Sequence, residues 1–195
     1  MDALDPLLTR LSTPSRQLGD PGPDQAQLLQ MLTAAVHVPD HGKLMPWRFL
    51  RIAGDARSRL GDALAQRALQ RDPPLAAASI EKERRRFSYA PVIVAVIARI
   101  TPNHKIPEIE QMLSGGCVCF SLLQAARALG FGAQWLTGWA AYDPQITALL
   151  GVGEHERVLG FIHIGSVLEA AHDRERPDPR ELLTDWIGGE WSGSA

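Results

Sequence analysis

Pro91-Val92-Ile93-Val94-Ala95-Val96-Ile97-Ala98-Arg99-Ile100 constrains the fold more than any other stretch of this chain. It is a near-continuous β-branched run, and such a run belongs to a strand buried on both faces. The stretch is therefore read as a central strand. A second stretch adds to the constraint. Glu108 to Leu129 is the longest helical candidate, and from Cys117 onward it is apolar on nearly every side, through Val118, Phe120, Leu122, Leu123, Ala125, Ala126, Ala128 and Leu129. A helix of that kind has to be enclosed, and in a chain this short one sheet leaves its far side bare. The expected cover is a second copy of the chain.

The remaining elements follow from periodicity and punctuation. Ala3 to Leu11 suits a short helix with Asp5 in its first turn, and Asp24 to Val36 a second helix closed by Pro39. Trp47 to Ile52 is a strand candidate, Asp55 to about Gln70 a charged amphipathic helix, and the Ala- and Arg-rich segment after Pro73-Pro74 a more exposed helix with a solvated face. Gly130 stops the long helix. Phe131 to Leu136 is then extended, Asp143 to Leu150 helical with Pro144 at its first position, and Arg157 to Ile164 another buried strand. From about residue 166 the chain becomes a polar, proline-containing tail or arm, with Trp186 and Trp191 available for docking. With no internal repeat, residues 1–195 are expected to form one α+β domain of roughly four strands and several helices.

Composition narrows the function classes. At 195 residues, 45% hydrophobic and 22% charged, the chain is an ordinary globular protein. A formal net charge of −2 gives no electrostatic reason to favour nucleic acid or an anionic membrane. No apolar run approaches a bilayer span, and the N-terminus carries aspartates where a signal peptide has positive charge, so a cytoplasmic location is expected. Cys117 and Cys119 are two apart in a helical pattern. Their side chains diverge, and both are expected to act as small buried hydrophobes.

Several catalytic signatures are absent: a G-x-S-x-G elbow, a Walker-type phosphate loop, a paired C-x-x-C site and a G-x-G-x-x-G opening a helix. His37 and His41 have metal-ligand spacing, but Pro39 between them breaks a helix and no carboxylate pattern completes a site, so no metal is expected. What remains is contact with a polar or anionic cofactor, or plain satisfaction by loop carbonyls. The loop Pro39 to Trp47 combines prolines, glycine, His41 and Lys43 with apolar Leu44, Met45 and Trp47, as if built around something flat. Arg10-Leu11-Ser12 and Gly132 to Gly138 have the makeup of companion pieces. An organic cofactor with a phosphate needs positive charge at its tail and apolar surface under its ring.

With these segments in view the chain resembles the FMN-dependent nitroreductase family, most closely its small bacterial NAD(P)H nitroreductases. The resemblance is carried by Met1 to Leu4, Arg10 and Ser12, Ala35 to Trp47 with its Pro-Asp-His and Pro-Trp, Asn103 to Pro107, Ser114 to Ala126, Gly130 to Gly138, and Val158 to Gly165. It implies a nitroreductase-like α+β fold, a central mainly antiparallel sheet flanked by helices, in an intertwined homodimer with FMN in clefts between subunits. Carried over residue by residue, Arg10, Leu11 and Ser12 bind the phosphate and ribityl part of FMN. His37 and His41 reach the flavin of the partner subunit, and Leu136, Thr137 and Gly138 contact the flavin from the first. Ala125 to Gly130 matches a stretch suggested to contact the nicotinamide.

The implied activity is NAD(P)H-dependent reduction of FMN, then of a nitroaromatic, quinone or similar small planar acceptor by a ping-pong mechanism, with no dedicated catalytic residue. Leu11, His37 and Leu136 stand where arginine is familiar, so weaker FMN binding is expected, with Arg174 or Arg176 in the tail as possible compensation. The alternative is a non-catalytic flavin- or nucleotide-binding dimer acting as a carrier or sensor.

Overall fold

The computed structural model describes residues 3–71 and 76–189. The expected break at Pro73-Pro74 and the docking role of Trp191 lie outside the described residues. In chain order the elements are α1 (Asp5–Leu8), β1 (Leu18–Gly19), α2 (Gln25–Ala35), β2 (Trp47–Ala53), α3 (Asp55–Leu69), α4 (Ala77–Arg85), β3 (Val92–Arg99), α5 (Glu108–Ala128), β4 (Gly132–Leu136), α6 (Pro144–Leu149), β5 (Glu156–Val167) and α7 (Pro179–Leu182). Single 3-10 turns lie at Ser15–Gln17, His41–Lys43 and Trp139–Ala141.

Every strand pairing is antiparallel. β5 sits at the middle of the sheet and pairs with β3, β4 and the two-residue β1, while β2 pairs with the other edge of β3. The expected central strand is thus β3, with Val94 opposite Ile162 and Ile93 opposite His163. Its alternation divides the core. Ile93, Ala95 and Ile97 face one layer with Leu60 and Leu64 of α3, Phe87 and Phe161. Val92, Val94 and Val96 face the other with Leu28 and Met31 of α2 and Val118 and Leu122 of α5. A strand apolar on both sides is what this two-layer cover demands.

Local chemistry sets several boundaries. α2 starts with a capping box in which Asp24 Oδ1 accepts from the Gln27 N–H and the Gln27 side chain accepts from the Asp24 N–H. α1 is shorter than the expected Ala3–Leu11. It ends at a cap on Thr9, because a single turn beginning at Asp5 gains too few hydrogen bonds to propagate. Arg10 therefore lies beyond the helix rather than in its last turn. The segment containing α4 is less solvated than its arginines suggest, since Glu83 is 7% exposed and Phe87 belongs to the core.

Two close approaches fix the helices on the sheet. Gly115 brings α5 so near β5 that a methyl group there would overlap Leu159 Cδ1. Gly61 of α3 lies against the backbone carbonyl of Arg84 in α4. Alanine exceeds glycine by about 1 kcal/mol in helix propensity, but the facing atom at Gly61 is backbone and cannot rotate away. Gly61→Ala is expected to destabilise the protein by about 1–2 kcal/mol net, lowering the melting temperature by several degrees. A raised melting temperature would show that α4 yields.

Candidate functional site

Arg10, Leu11 and Ser12 form an irregular segment between α1 and the turn before β1. Arg10 Nη1 donates to Ser12 Oγ at 3.2 Å, so guanidinium and hydroxyl act as one donor group, and among the described residues no carboxylate pairs with Arg10. Leu11 points elsewhere. A cleft of about 360 Å³ is lined by Thr9, Leu11 and Thr13 together with Arg127 and Phe131, and Arg10 and Ser12 take no part in it. The segment is tied to β4 twice: the Thr13 N–H donates to Ala133 O at 3.0 Å, and the Ser15 N–H to Gln134 Oε1 at 2.6 Å.

β4 leads directly into Leu136, Thr137 and Gly138. Gly138 has φ 71°, ψ −177°, a backbone shape that only glycine adopts without strain. Leu136 and Thr137 are half-buried and Gly138 is exposed. The first and third expected segments are therefore anchored on one strand.

The histidine segment lies elsewhere in the same chain. His37 is exposed just past α2, and His41 is exposed in the following turn. His41 Nδ1 donates to Glu110 Oε2 at 2.7 Å, since an ionised carboxylate can only accept; this leaves Nε2 free. Ser114 Oγ donates to Pro39 O at 2.5 Å. The loop is strained at Lys43 and Met45, whose φ values are positive at 55° and 48°, while Gly42 takes its φ of 71° freely. Asp40 over-determines it, accepting from the Met45 N–H through Oδ2 at 2.8 Å and from the Lys43 N–H through its carbonyl at 3.1 Å. Met45 is left 66% exposed. Non-glycine residues held in this region cluster at ligand clamps.

α5 measures the separation. The histidine loop bonds to Glu110 and Ser114 near its start, while Arg127 near its end donates to Pro6 O at 3.2 Å and Thr9 Oγ1 at 2.6 Å in and beside α1. From Glu110 to Arg127 the helix rises about 25 Å. One chain does not bring His41 to Arg10. Along the outer face of α5, Ile109, Leu113 and Phe120 are 64%, 63% and 42% exposed, so the enclosure expected of this helix is not completed within one chain. Cys119 is buried, which pushes its thiol up to about 12, but Cys117 is exposed on this face, contrary to expectation.

Two residues with no role foreseen in the sequence support these segments, Gln134 holding Ser15 and Arg127 holding α1, while Arg176, one of the two tail arginines expected to compensate, donates from Nη2 to Arg10 O at 3.2 Å and pairs with Asp173. Each acts across a long sequence separation, which no local pattern announces. Arg174, the other tail residue considered, has only its backbone N–H engaged, by Asp173 Oδ1. Among the described residues no three His, Cys, Asp or Glu side chains gather as a metal site, and no helix is long and apolar enough to cross a membrane.

Opposite Gln134 on β5, His163 is fully buried and stacks on Phe87 at 5.5 Å between centroids. Burial, then the charge of Arg86, lowers its pKa from 6.5 to about 4. The unfolded chain binds a proton near 6.5 that the folded one refuses until about 4, so stability present above pH 6.5 is lost as pH falls through that window. His163→Phe keeps an aromatic ring on Phe87, and its melting temperature should fall less than that of the unaltered protein between pH 6.5 and 4. Parallel melting curves would contradict this assignment.

The residues 8–166 match the family described as the Nitroreductase family. The chain is 35% identical over 185 residues to an Escherichia coli K12 protein named "Putative NAD(P)H nitroreductase YdjA", covering 94% of this chain and 99% of that one. Among solved structures it is similar to a nitroreductase-like family protein from Bacillus cereus, with a TM-score of 0.81 and 21% identity over 96% of this chain and 97% of that one. It is also similar to a nitroreductase with bound FMN from Bacteroides fragilis, with a TM-score of 0.71 and 19% identity over 95% and 99%.

Proposed function

The chain belongs to the nitroreductase family, and on that premise we propose that it is a cytoplasmic, FMN-dependent oxidoreductase working as a homodimer. The observation that carries this reading is the Arg10–Ser12 donor pair, a guanidinium and a hydroxyl joined at 3.2 Å with no carboxylate among the described residues to neutralise them, beside a strand that ends in an open glycine turn. Such a donor set suits a phosphate monoester, and the turn suits a flat ring lying against backbone. The residues present therefore fit FMN.

In this reading Arg10 and Ser12 hold the phosphate and ribityl end. Leu136, Thr137 and Gly138 offer the ring half-buried side chains and the amide groups of a turn. The 25 Å span of α5 supports two copies packed with their α5 helices side by side and reversed, which would set His37 and His41 of one copy beside Arg10 of the other. The exposed stripe of Ile109, Leu113 and Phe120 is the apolar surface that such packing would cover. Strain at Lys43 and Met45 pre-orders the histidine loop, so little ordering entropy opposes closure on the cofactor.

Bound FMN supplies the redox chemistry: hydride acceptance from NAD(P)H, then electron delivery to a nitroaromatic, quinone or similar planar acceptor, in ping-pong order. The protein needs no acid or base of its own. It binds the cofactor, leaves one face open to alternating planar substrates and excludes water behind that ring with the packed sheet.

The purified protein is expected to show a flavin spectrum that bleaches with NAD(P)H under anaerobic conditions and returns on adding a quinone. A flavin that stays oxidised with both nicotinamides would favour the carrier or sensor reading, and a protein that takes up no FMN would remove both. Arg10→Ala should weaken FMN binding about 10- to 100-fold, as expected for one charge-assisted contact, while leaving riboflavin binding nearly unchanged. Equal losses for the two ligands would place the phosphate elsewhere.

A further inference from the structure

Behind the turn that follows β4 lies a charge cluster to which the proposed chemistry assigns no task. Arg86, immediately past α4, donates from Nη2 to Glu83 Oε1 at 2.6 Å. The side chains are 24% and 9% exposed, so both charges are largely out of water. Glu83 Oε2 has no hydrogen-bond partner. An ion pair this dry and incompletely satisfied is a poor source of stability, since desolvation offsets most of its attraction. Its placement points to another use.

The other terminal nitrogen of Arg86 lies against Gly138. A Cβ on Gly138 would sit 2.5 Å from Arg86 Nη1 and 3.6 Å from its Cζ. The left-handed φ of 71° favours glycine, and a Cβ there would also push the tethered guanidinium aside. Just past the turn Arg67 pairs with Asp143 at 2.9 Å, and the Asp143 N–H donates to Trp139 O at 3.0 Å. Arg71 lies over the Trp139 ring at 4.9 Å, and His163, facing the same layer, is neutral and contributes no charge. Arg86 supplies the positive charge closest to Gly138, and Glu83 tempers it.

Resting on the assignment of Leu136, Thr137 and Gly138 to the cofactor ring, we propose that Arg86 is a positioning residue, tethered by Glu83, that shapes the Thr137–Gly138 turn and sets the positive potential felt by the ring. The electron-rich form of the ring carries more negative charge than the oxidised form. A fixed cation held through a single turn of backbone, in a site with effective dielectric well below that of water, favours that form without touching it. Glu83 both aims the guanidinium and cancels part of its field.

The test is the midpoint potential of the FMN-loaded protein, with the FMN dissociation constant measured alongside. Arg86→Gln should lower the ratio of reduced to oxidised cofactor at a given potential about tenfold, a shift of about −30 mV for a two-electron couple. Glu83→Gln, which frees the arginine charge, should move the potential upward, and Arg86→Lys should stay near the unaltered protein. Opposite signs for the two glutamine variants support the proposal, because a purely structural role would move both the same way. Shifts of one sign, or none, overturn it. If Arg86→Gln does not fold, the sign of the Glu83→Gln shift decides alone, and a downward or absent shift overturns the proposal. An unaltered protein that binds no FMN overturns the cofactor assignment itself, an outcome distinct from a loaded protein whose potential ignores both substitutions.

Discussion

The pairing of β3 with β5 is the interaction on which the other placements depend. These two strands run antiparallel from Val92 opposite Ile164 to Arg99 opposite Glu156. Because both are apolar on both faces, they cannot lie at a sheet edge or open to water without exposing a row of branched side chains. Helices must cover each face, and the alternation of β3 decides which. α3 and the residues following α4 close one side through Leu60, Leu64 and Phe87, and α2 with α5 close the other through Met31, Val118 and Leu122. β4 then joins β5 with Gln134 opposite His163, and the turn after it sets Gly138 against Arg86. The candidate site follows from this order of packing.

α5 has two roles that conflict within a single chain. Its inner face is core, and Gly115 lets it sit close on β5. Its outer face is a row of exposed apolar residues, and its two ends carry the two halves of the candidate site. A surface that is costly to leave in water and a binding site divided over the length of a helix meet one requirement in the proposed pair of copies, where the reversed partner covers the stripe and joins the halves. The elements at the proposed seam are also the least regular. Single-turn α1, the strained histidine turn and the extended tail from Leu168 gain little from their own hydrogen bonds and depend on contacts such as Arg127 to Thr9, Asp40 to Met45 and Arg176 to Arg10.

Much of the architecture was legible because it is written in short-range patterns. The β-branched run gave β3, the alternation of apolar positions gave α2 and α3, and Pro39, Gly130 and Pro144 marked ends that the structure keeps. The errors have physical causes too. α1 was read too long because leucines at helical spacing do not reveal that one turn cannot propagate. Cys117 was read as buried because periodicity says a helix is apolar all round without saying which face meets the sheet. The α4 segment suggests a solvated face because its run of charged residues hides Glu83, the one that is buried. In the candidate site, Arg10, Ser12, Thr137 and Gly138 could be named in advance from resemblance. The supports could not: Gln134 under Ser15, Glu110 against His41 and Arg86 beneath Gly138 are contacts between elements.

By itself, then, the sequence determined which segments are strand and helix, that the sheet must be covered on both faces, and which residue types are available for an anionic planar ligand. Hydrophobic period, proline and glycine act within a few residues, so they can be read along the chain. Tertiary structure alone decided that Leu11 lines a cleft in which Arg10 and Ser12 take no part, that the histidine loop lies a helix length from them, and that a guanidinium tethered by a dry carboxylate sits against the turn at Gly138. Those outcomes depend on the direction in which side chains project once the sheet and α5 are packed, and that direction is fixed by contacts between residues far apart in sequence.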